Sequence, residues 1–204
     1  MDKDRKAQGM REAPAAFVAA GDQRQEVLAG LVERVTYHNQ ETGFCVLRLK
    51  ARGHRDLVTT IGHAAMISAG EWVTASGDWV NDRTHGLQFR ARFLKTSAPT
   101  SLDGIEKYLG SGMIRGIGPV YAKRMVKMFG KDVFDLIEAE PARLREVEGI
   151  GPKRADKITS AWADQKVIRE IMVFLHSHGV GTARAVRIFK TYGVDSVQVM
   201  SENP

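Results

Sequence analysis

Val147-Glu148-Gly149-Ile150-Gly151-Pro152-Lys153-Arg154-Ala155-Asp156-Lys157 decides how the second half of the chain is built. Two glycines enclose one apolar residue. Glycine tolerates positive φ and lets backbone approach closely, so the triplet predicts a tight hairpin with Ile150 plugged into a core. A helix starting at or just after Gly151 presents amide N–H groups that have no intrahelical partner. The helix dipole adds partial positive charge at the same end, and together they make an anion site. Pro152 suits the first helical position, where no N–H is needed. Ala155 lets the two helices pack closely, and Lys153, Arg154 and Lys157 supply cations within the next turn.

The pattern occurs three times, as tandem units do. One further copy is Ile114-Arg115-Gly116-Ile117-Gly118-Pro119-Val120-Tyr121-Ala122-Lys123-Arg124, the other Ser177-His178-Gly179-Val180-Gly181-Thr182-Ala183-Arg184-Ala185-Val186-Arg187. The first glycines lie 33 and then 30 residues apart, and each is followed by alanine six positions on. The sequence thus predicts tandem helix-hairpin-helix units near 114–124, 147–157 and 177–187. The candidate phosphate-contacting residues are Gly116, Ile117, Gly118, Lys123 and Arg124; Gly149, Ile150, Gly151, Lys153, Arg154 and Lys157; and Gly179, Val180, Gly181, Arg184 and Arg187. Such contacts read backbone rather than bases, so binding is expected to be independent of sequence and sensitive to salt. The second copy is the most ligand-like. The third is the least, because His178 precedes its glycine and Thr182 replaces proline. For any single copy the alternative is a hairpin used only for packing. The spacer Phe129–Pro141 aligns without a gap on Tyr192–Pro204, which leads to the expectation that a fourth hairpin would follow and that the chain is the front of a longer protein.

Before the hairpins the pattern is that of strands. Leu31–Tyr37, Phe44–Leu49, Leu57–Ile61, Trp72–Val80 and Leu87–Leu94 are five runs of strand-forming or alternating residues. His63–Ala69, after the third, reads as one or two helical turns. Five short strands with a helical insert there predict a small oligonucleotide/oligosaccharide-binding (OB) barrel rather than an SH3-like barrel or sandwich. Barrels of this kind stack bases on aromatics beside basic groups. The candidates are Tyr37, Phe44, Trp79 and Phe89 with Arg48, Arg90 and Arg92, each weighed against burial in the core; Trp72 is assigned to the core. Ser97–Ser101 reads as a linker, and Ser101 or Asp103 as a helix cap. The expected class is α+β: residues 1–26 a mobile extension, 27–98 a five-stranded OB-like barrel, and 99–204 an all-α tandem helix-hairpin-helix domain.

The 204 residues carry a formal net charge of +6, which agrees with a polyanionic partner without establishing one. The excess is spread over the body of the chain, so the folded part must arrange it. No apolar run approaches a membrane span, the N-terminus lacks the apolar region of a signal peptide, and a single cysteine, Cys45, suits a reducing cytoplasm. Gly130-Lys131 lacks the upstream glycine and following hydroxyl of a nucleotide phosphate loop. No zinc-binding cysteine pattern and no two-metal carboxylate cluster stands out. His176 and His178 read as loop or capping residues, and Glu138, Glu140, Glu146 and Glu148 as solvated. ATPase or nuclease activity is therefore not expected of this sequence alone, nor a cofactor.

Val32–Arg48, taken with the following Ile114-Arg115-Gly116-Ile117-Gly118-Pro119, resembles the start of bacterial RecD-like ATP-dependent DNA helicases. The resemblance covers residues 28–204. It implies a barrel and tandem hairpins placed before a superfamily 1 motor that unwinds DNA in the 5′→3′ direction in repair and recombination. ATP and Mg²⁺ would belong to that motor, which this sequence does not include. The implied partner is single-stranded, duplex or junction DNA, with a repair or single-strand-binding protein as a further partner. The RuvA type of Holliday-junction protein also joins an OB barrel to hairpins. Against it stand the third hairpin and the missing small C-terminal domain. A protein-interaction module of a repair complex is the third reading.

Overall fold

The computed structural model describes residues 26–202; the expected extension, Glu26 apart, lies outside them. Five strands form the first unit: β1 (Glu26–His38), β2 (Phe44–Ala51), β3 (Val58–His63), β4 (Trp72–Asp82) and β5 (Gly86–Ser97). They close in the order β1-β2-β3-β5-β4, with β1 pairing both β2 and β4. All pairs are antiparallel except the short β3–β5 contact, where Thr60 faces Phe89 and Ile61 faces Arg90. Two register shifts in β1, at Val32/Arg34 and Val35/Tyr37, bend this long strand so that it can serve both neighbours. Alternation fills the barrel: Cys45, Leu47, Leu49 and Ala51 of β2 point inward onto Leu28, Val32, Val73, Ala75, Phe89 and Leu94.

The insert after β3 is not helical. Residues 64–71 form an irregular connection in which Ala64, Ala65, Ile67, Ser68 and Glu71 are buried. Its backbone is tied to β1 through Gly70 N–H to Val32 O and Val32 N–H to Glu71 O, both 2.8 Å. Gly70 has φ +90°, and a Cβ there would come within 2.3 Å of Gly104 O and 2.4 Å of Tyr108 N. The segment is thus pressed between barrel and helices, and that packing overrides its helical tendency. The OB assignment rests on strand order rather than on the insert. Trp72, expected in the core, is only half-buried, and the Arg52 guanidinium lies 5.0 Å from its ring centre.

The helical unit comprises α1 (Leu102–Gly110), α2 (Pro119–Phe129), α3 (Val133–Ala139), α4 (Pro152–Ser177), α5 (Thr182–Tyr192) and α6 (Ser196–Glu202). Ser101 caps α1, its hydroxyl accepting from Gly104 N–H at 3.1 Å. A 3₁₀ helix, Pro141–Glu146, stands where the first helix of the second hairpin is expected. Helix α4 runs unbroken for 26 residues, about 39 Å at helical rise. It is the second helix of the second hairpin and the first helix of the third, which is why no spacer separates those copies. The first two hairpins share one core from Ile105 to Trp162, whereas the third has its own around Ile171, Leu175 and Ala185.

A small cavity between barrel and α4 is lined by Glu71, Leu94, Thr96, Gln165, Arg169 and His176, among others. Burial pushes the Glu71 carboxyl up to about 8, against the opposing pull of Arg169. Arg169 also donates to the Tyr108 hydroxyl at 3.0 Å and lies 4.9 Å from the Trp162 ring centre.

Candidate nucleic-acid interface

The three turns share one backbone plan. The first glycines, Gly116, Gly149 and Gly179, have φ of +96°, +85° and +78°, a region that side chains avoid. The second glycines, Gly118, Gly151 and Gly181, are extended residues capping α2, α4 and α5. Between them Ile117 and Ile150 are buried, and Val180 packs on the third core. Ala122, Ala155 and Ala185, the sixth residues on, are buried as close helix packing requires.

The second glycines differ from the first in one telling way. A Cβ at Gly118, Gly151 or Gly181 would meet nothing within 4 Å, so internal packing does not demand glycine there. None of the three helix starts has a side-chain cap or an acidic residue in its first turn. The starts of α2, α4 and α5 are thus uncapped beside residues too small to shield them, which is what an incoming anion needs.

The first two hairpins clasp one another reciprocally. A Cβ on Gly116 would face Arg154 Cγ at 3.5 Å and Lys157 Cβ at 3.8 Å. One on Gly149 would face Tyr121 Cε1 at 2.9 Å and Arg124 Nη1 at 3.5 Å. Tyr121 and Arg154 each stand fifth after their glycine, Arg124 and Lys157 eighth. Each turn therefore rests on the same two positions of the other copy, a pseudo-two-fold pair. Arg124 donates to Glu148 O at 2.8 Å, and Arg154 donates to Gly149 O. These two arginines, candidates for phosphate contact, brace the second turn. Lys123, Lys153 and Lys157 are exposed. An open groove beside the turns is lined by Arg115, Gly116, Gly151, Lys153, Arg154 and Lys157, among others. Arg115 escaped the sequence reading because its counterparts are Glu148 and His178, so the repeat carried no signal for it.

The third hairpin faces the barrel. Thr182 is buried, and its hydroxyl accepts from Leu94 N–H of β5 at 3.2 Å. Threonine in the proline position is thus a tether. Val186 abuts Gly43, where an added Cβ would lie 2.5 Å from Val186 Cγ1. Burial, with the nearby Arg187 charge, lowers the pKa of His63. Arg184 and Arg187 stay exposed.

On the barrel the aromatic candidates separate. Phe89 is fully buried with Trp79 edge-on above it at 5.3 Å, and Trp79 Nε1 donates to Glu26 at 2.9 Å. Both belong to the barrel's own packing. Tyr37 and Phe44 are 50% and 36% exposed, with ring centres 6.2 Å apart. Arg48 donates to Thr59 Oγ1, Arg92 pairs with Asp78 at 2.8 Å, and Arg90 is exposed.

The remaining candidates assemble no further centre. His178 caps α4, with Nδ1 2.8 Å from Phe174 O, and His176 packs edge-on against Phe93. Glu138 accepts from Trp162 Nε1 and Lys166, while Glu140 and Glu146 flank Arg143. Among the described residues no group of three or more His, Cys, Asp and Glu is placed to hold a metal ion. Nor is any described helix long and apolar enough to cross a membrane.

Bare helix starts on a paired hairpin array, joined to a closed barrel, define a nucleic-acid-binding module. Comparison with known families agrees segment by segment. Residues 25–99 match the OB-fold domain of the ATP-dependent DNA helicase YrrC, residues 111–164 a SAM-like helix-hairpin-helix tandem, and residues 164–204 the helix-hairpin-helix domain of ATP-dependent RecD2 DNA helicase. In these domains and their order the chain is similar to the N-terminal region of RecD-like ATP-dependent DNA helicases. It is 28% identical over 182 residues, 86% of its length, to the ATP-dependent RecD2 DNA helicase of Deinococcus radiodurans. It spans only 25% of that relative. The match over 164–204 takes in the third hairpin, the feature that set the chain apart from the RuvA type.

Proposed function

We propose that this chain binds DNA through backbone phosphates, independently of base sequence, as the DNA-binding front of a RecD-like helicase. The whole enzyme would unwind DNA 5′→3′ in repair and recombination in the bacterial cytoplasm, using ATP and Mg²⁺ held by a motor outside these 204 residues. The observation that carries the DNA-binding reading is the trio of uncapped helix starts at Gly118, Gly151 and Gly181, each with empty space where a side chain would stand. Lys123, Lys153, Lys157 and Arg115 add cations around the first two. An array used only for packing gives no reason to leave these helix starts uncapped, since Asp, Asn, Ser or Thr there would stabilise the helices.

Gly151→Asp tests this with opposite signs. Aspartate caps helices better than alanine and about as well as any residue, so α4 should hold or gain stability. The same carboxylate would occupy the amides and repel a phosphate. The expected result is an unchanged or raised melting temperature, with affinity for a mixed-sequence duplex lowered about tenfold or more. Unaltered duplex affinity would remove the phosphate-cradle role.

A further inference from the structure

We propose that the groove beside the second turn holds one unpaired nucleotide of a bound DNA, its phosphates on the cations near the turns and its base against Met66, Met113 and Gln165. The groove measures about 1290 Å³ and reaches from the first two turns along α4 to the barrel's connection after β3. Lys153, Lys157, Ala161 and Gln165 line it at intervals of four. They therefore form one stripe on α4, with successive residues about 6 Å apart along the axis. The stripe changes character on the way. Its first two members are exposed cations, joined by the exposed Arg115 of the first turn. Its third is small, which leaves the wall low. Its fourth is a carboxamide.

Gln165 is the residue that points to a ligand. It is 9% exposed, and its amide makes no hydrogen bond with any described residue. A buried amide left unpaired is costly, so this one needs a partner. Met66 and Met113 line the same groove, half-buried, and neither belongs to a packed core. Met66 stands between the buried Ala65 and Ile67, in the connection pressed between barrel and helices. Thioether side chains adapt their shape and pack well against aromatic rings. A carboxamide offers a donor and an acceptor together to a base edge, as glutamine does to adenine. Asp164, the one carboxylate among the lining residues, adjoins Gln165, about two turns beyond Lys157. There it can accept from an exocyclic amine of a base.

Hairpin packing alone does not produce this set of residues. The pseudo-two-fold relation that exchanges the first two turns carries position 116 to 149, an offset of 33. At that offset Glu148, Glu146 and Val120 stand where the groove has Arg115, Met113 and Lys153. The mate of the groove is acidic and apolar where this one is cationic. Met66 comes from the barrel unit, outside the repeat. One side of the paired hairpins therefore presents cations, an adaptable apolar wall and a buried amide in succession. The proposal rests on the DNA-binding reading and deepens it. The first two hairpins hold a backbone, and the groove takes a nucleotide that has left the base stack.

The test titrates the 204-residue chain with two duplexes of the same mixed sequence, one fully paired and one carrying a single unpaired adenosine in its middle. The unaltered chain is expected to bind the second about tenfold more tightly, the worth of one good amide-to-base contact. Gln165→Leu keeps the shape and removes the amide. It should hold or raise the melting temperature, leave affinity for the paired duplex unchanged, and reduce the preference to about twofold or less. Met66→Ala, with its fold checked by circular dichroism, should also reduce the preference. With 2-aminopurine as the unpaired base, fluorescence should rise on binding the unaltered chain, as the base leaves its stacked neighbours, and rise less with either variant. Equal affinity of the unaltered chain for both duplexes would overturn the proposal and leave the phosphate reading standing. So would a full preference retained by Gln165→Leu. Binding of free deoxyadenosine monophosphate as tight as that of the unpaired-adenosine duplex would overturn it too, by making the groove a site for free nucleotide. Binding to neither duplex would overturn the phosphate reading and this one together.

Discussion

The guanidinium carbon of Arg154 lies 4.3 Å from the centre of the Tyr121 ring, and the two residues occupy the same position in successive hairpins. Tyr121 in turn lies directly over Gly149, whose missing side chain makes room for it. The contact joins the two turns of the pseudo-two-fold pair, so the geometry of one helix start depends on the other. Phosphates bound at the first two hairpins would therefore be held at a fixed separation.

This relationship separates the two glycines of a turn by what they do. Gly149→Ala would put a Cβ 2.9 Å from Tyr121 Cε1 on a backbone at φ +85°, and left-handed backbone alone costs about 1–2 kcal/mol. Urea unfolding should show a loss of at least that size. Gly118→Ala meets nothing within 4 Å at φ −107°, and its cost as a helix cap is about 1 kcal/mol or less. DNA titration should show the second change weakening binding although it disturbs the fold less. The reverse ranking in stability would mean that the turns are not built as described.

The hairpins were legible in the sequence because a glycine pair around one apolar residue is a local backbone instruction, and three copies in register repeat it. The barrel was legible because alternation follows from the two faces of a strand. What escaped depends on contacts distant in the chain. The fate of residues 64–71 is decided by α1, against which Gly70 is pressed. Trp72 opens β4 on the outer face, under Arg52. Arg124 and Arg154 read as phosphate ligands because they follow a turn closely; their engagement with Glu148 and Gly149 carbonyls appears only when two copies face each other. The docking of the third hairpin on the barrel left one trace, Thr182 in place of proline, which pointed away from a ligand but not towards the tether.

Glu71 makes stability depend on pH. Its carboxyl, ordinarily at 4.5, is pushed up to about 8 by burial between barrel and helices. A raised acid binds its proton more tightly in the folded state than in the unfolded one. Its favourable contribution is complete below about pH 4.5, declines as pH rises, and is lost on passing about pH 8. The steepest slope is that of one proton, about 1.4 kcal/mol per pH unit. Glu71→Gln keeps the shape and removes the titration. Its advantage over the unaltered chain should grow from pH 5 to pH 9, read as the difference in urea midpoint. A constant difference across that range would show that Glu71 does not titrate at the interface.

Salt dependence distinguishes cations that meet phosphate from those that hold the fold. Lys153 follows Gly151 and Pro152, is exposed, and lines the groove beside the second turn. Each phosphate neutralised on duplex DNA contributes about 0.9 to the slope of log affinity against log salt. Lys153→Ala should therefore flatten that slope by about 0.9, weaken binding equally for unrelated sequences, and leave the melting temperature in place. Arg124 is committed differently, since its guanidinium donates to Glu148 O. Arg124→Ala should lower the melting temperature by loosening the second turn, and its effect on affinity should follow that loss of order. An unchanged salt slope for Lys153→Ala would remove this lysine from the phosphate contacts. A flattened slope for Arg124→Ala at constant stability would move that arginine from the brace to the interface.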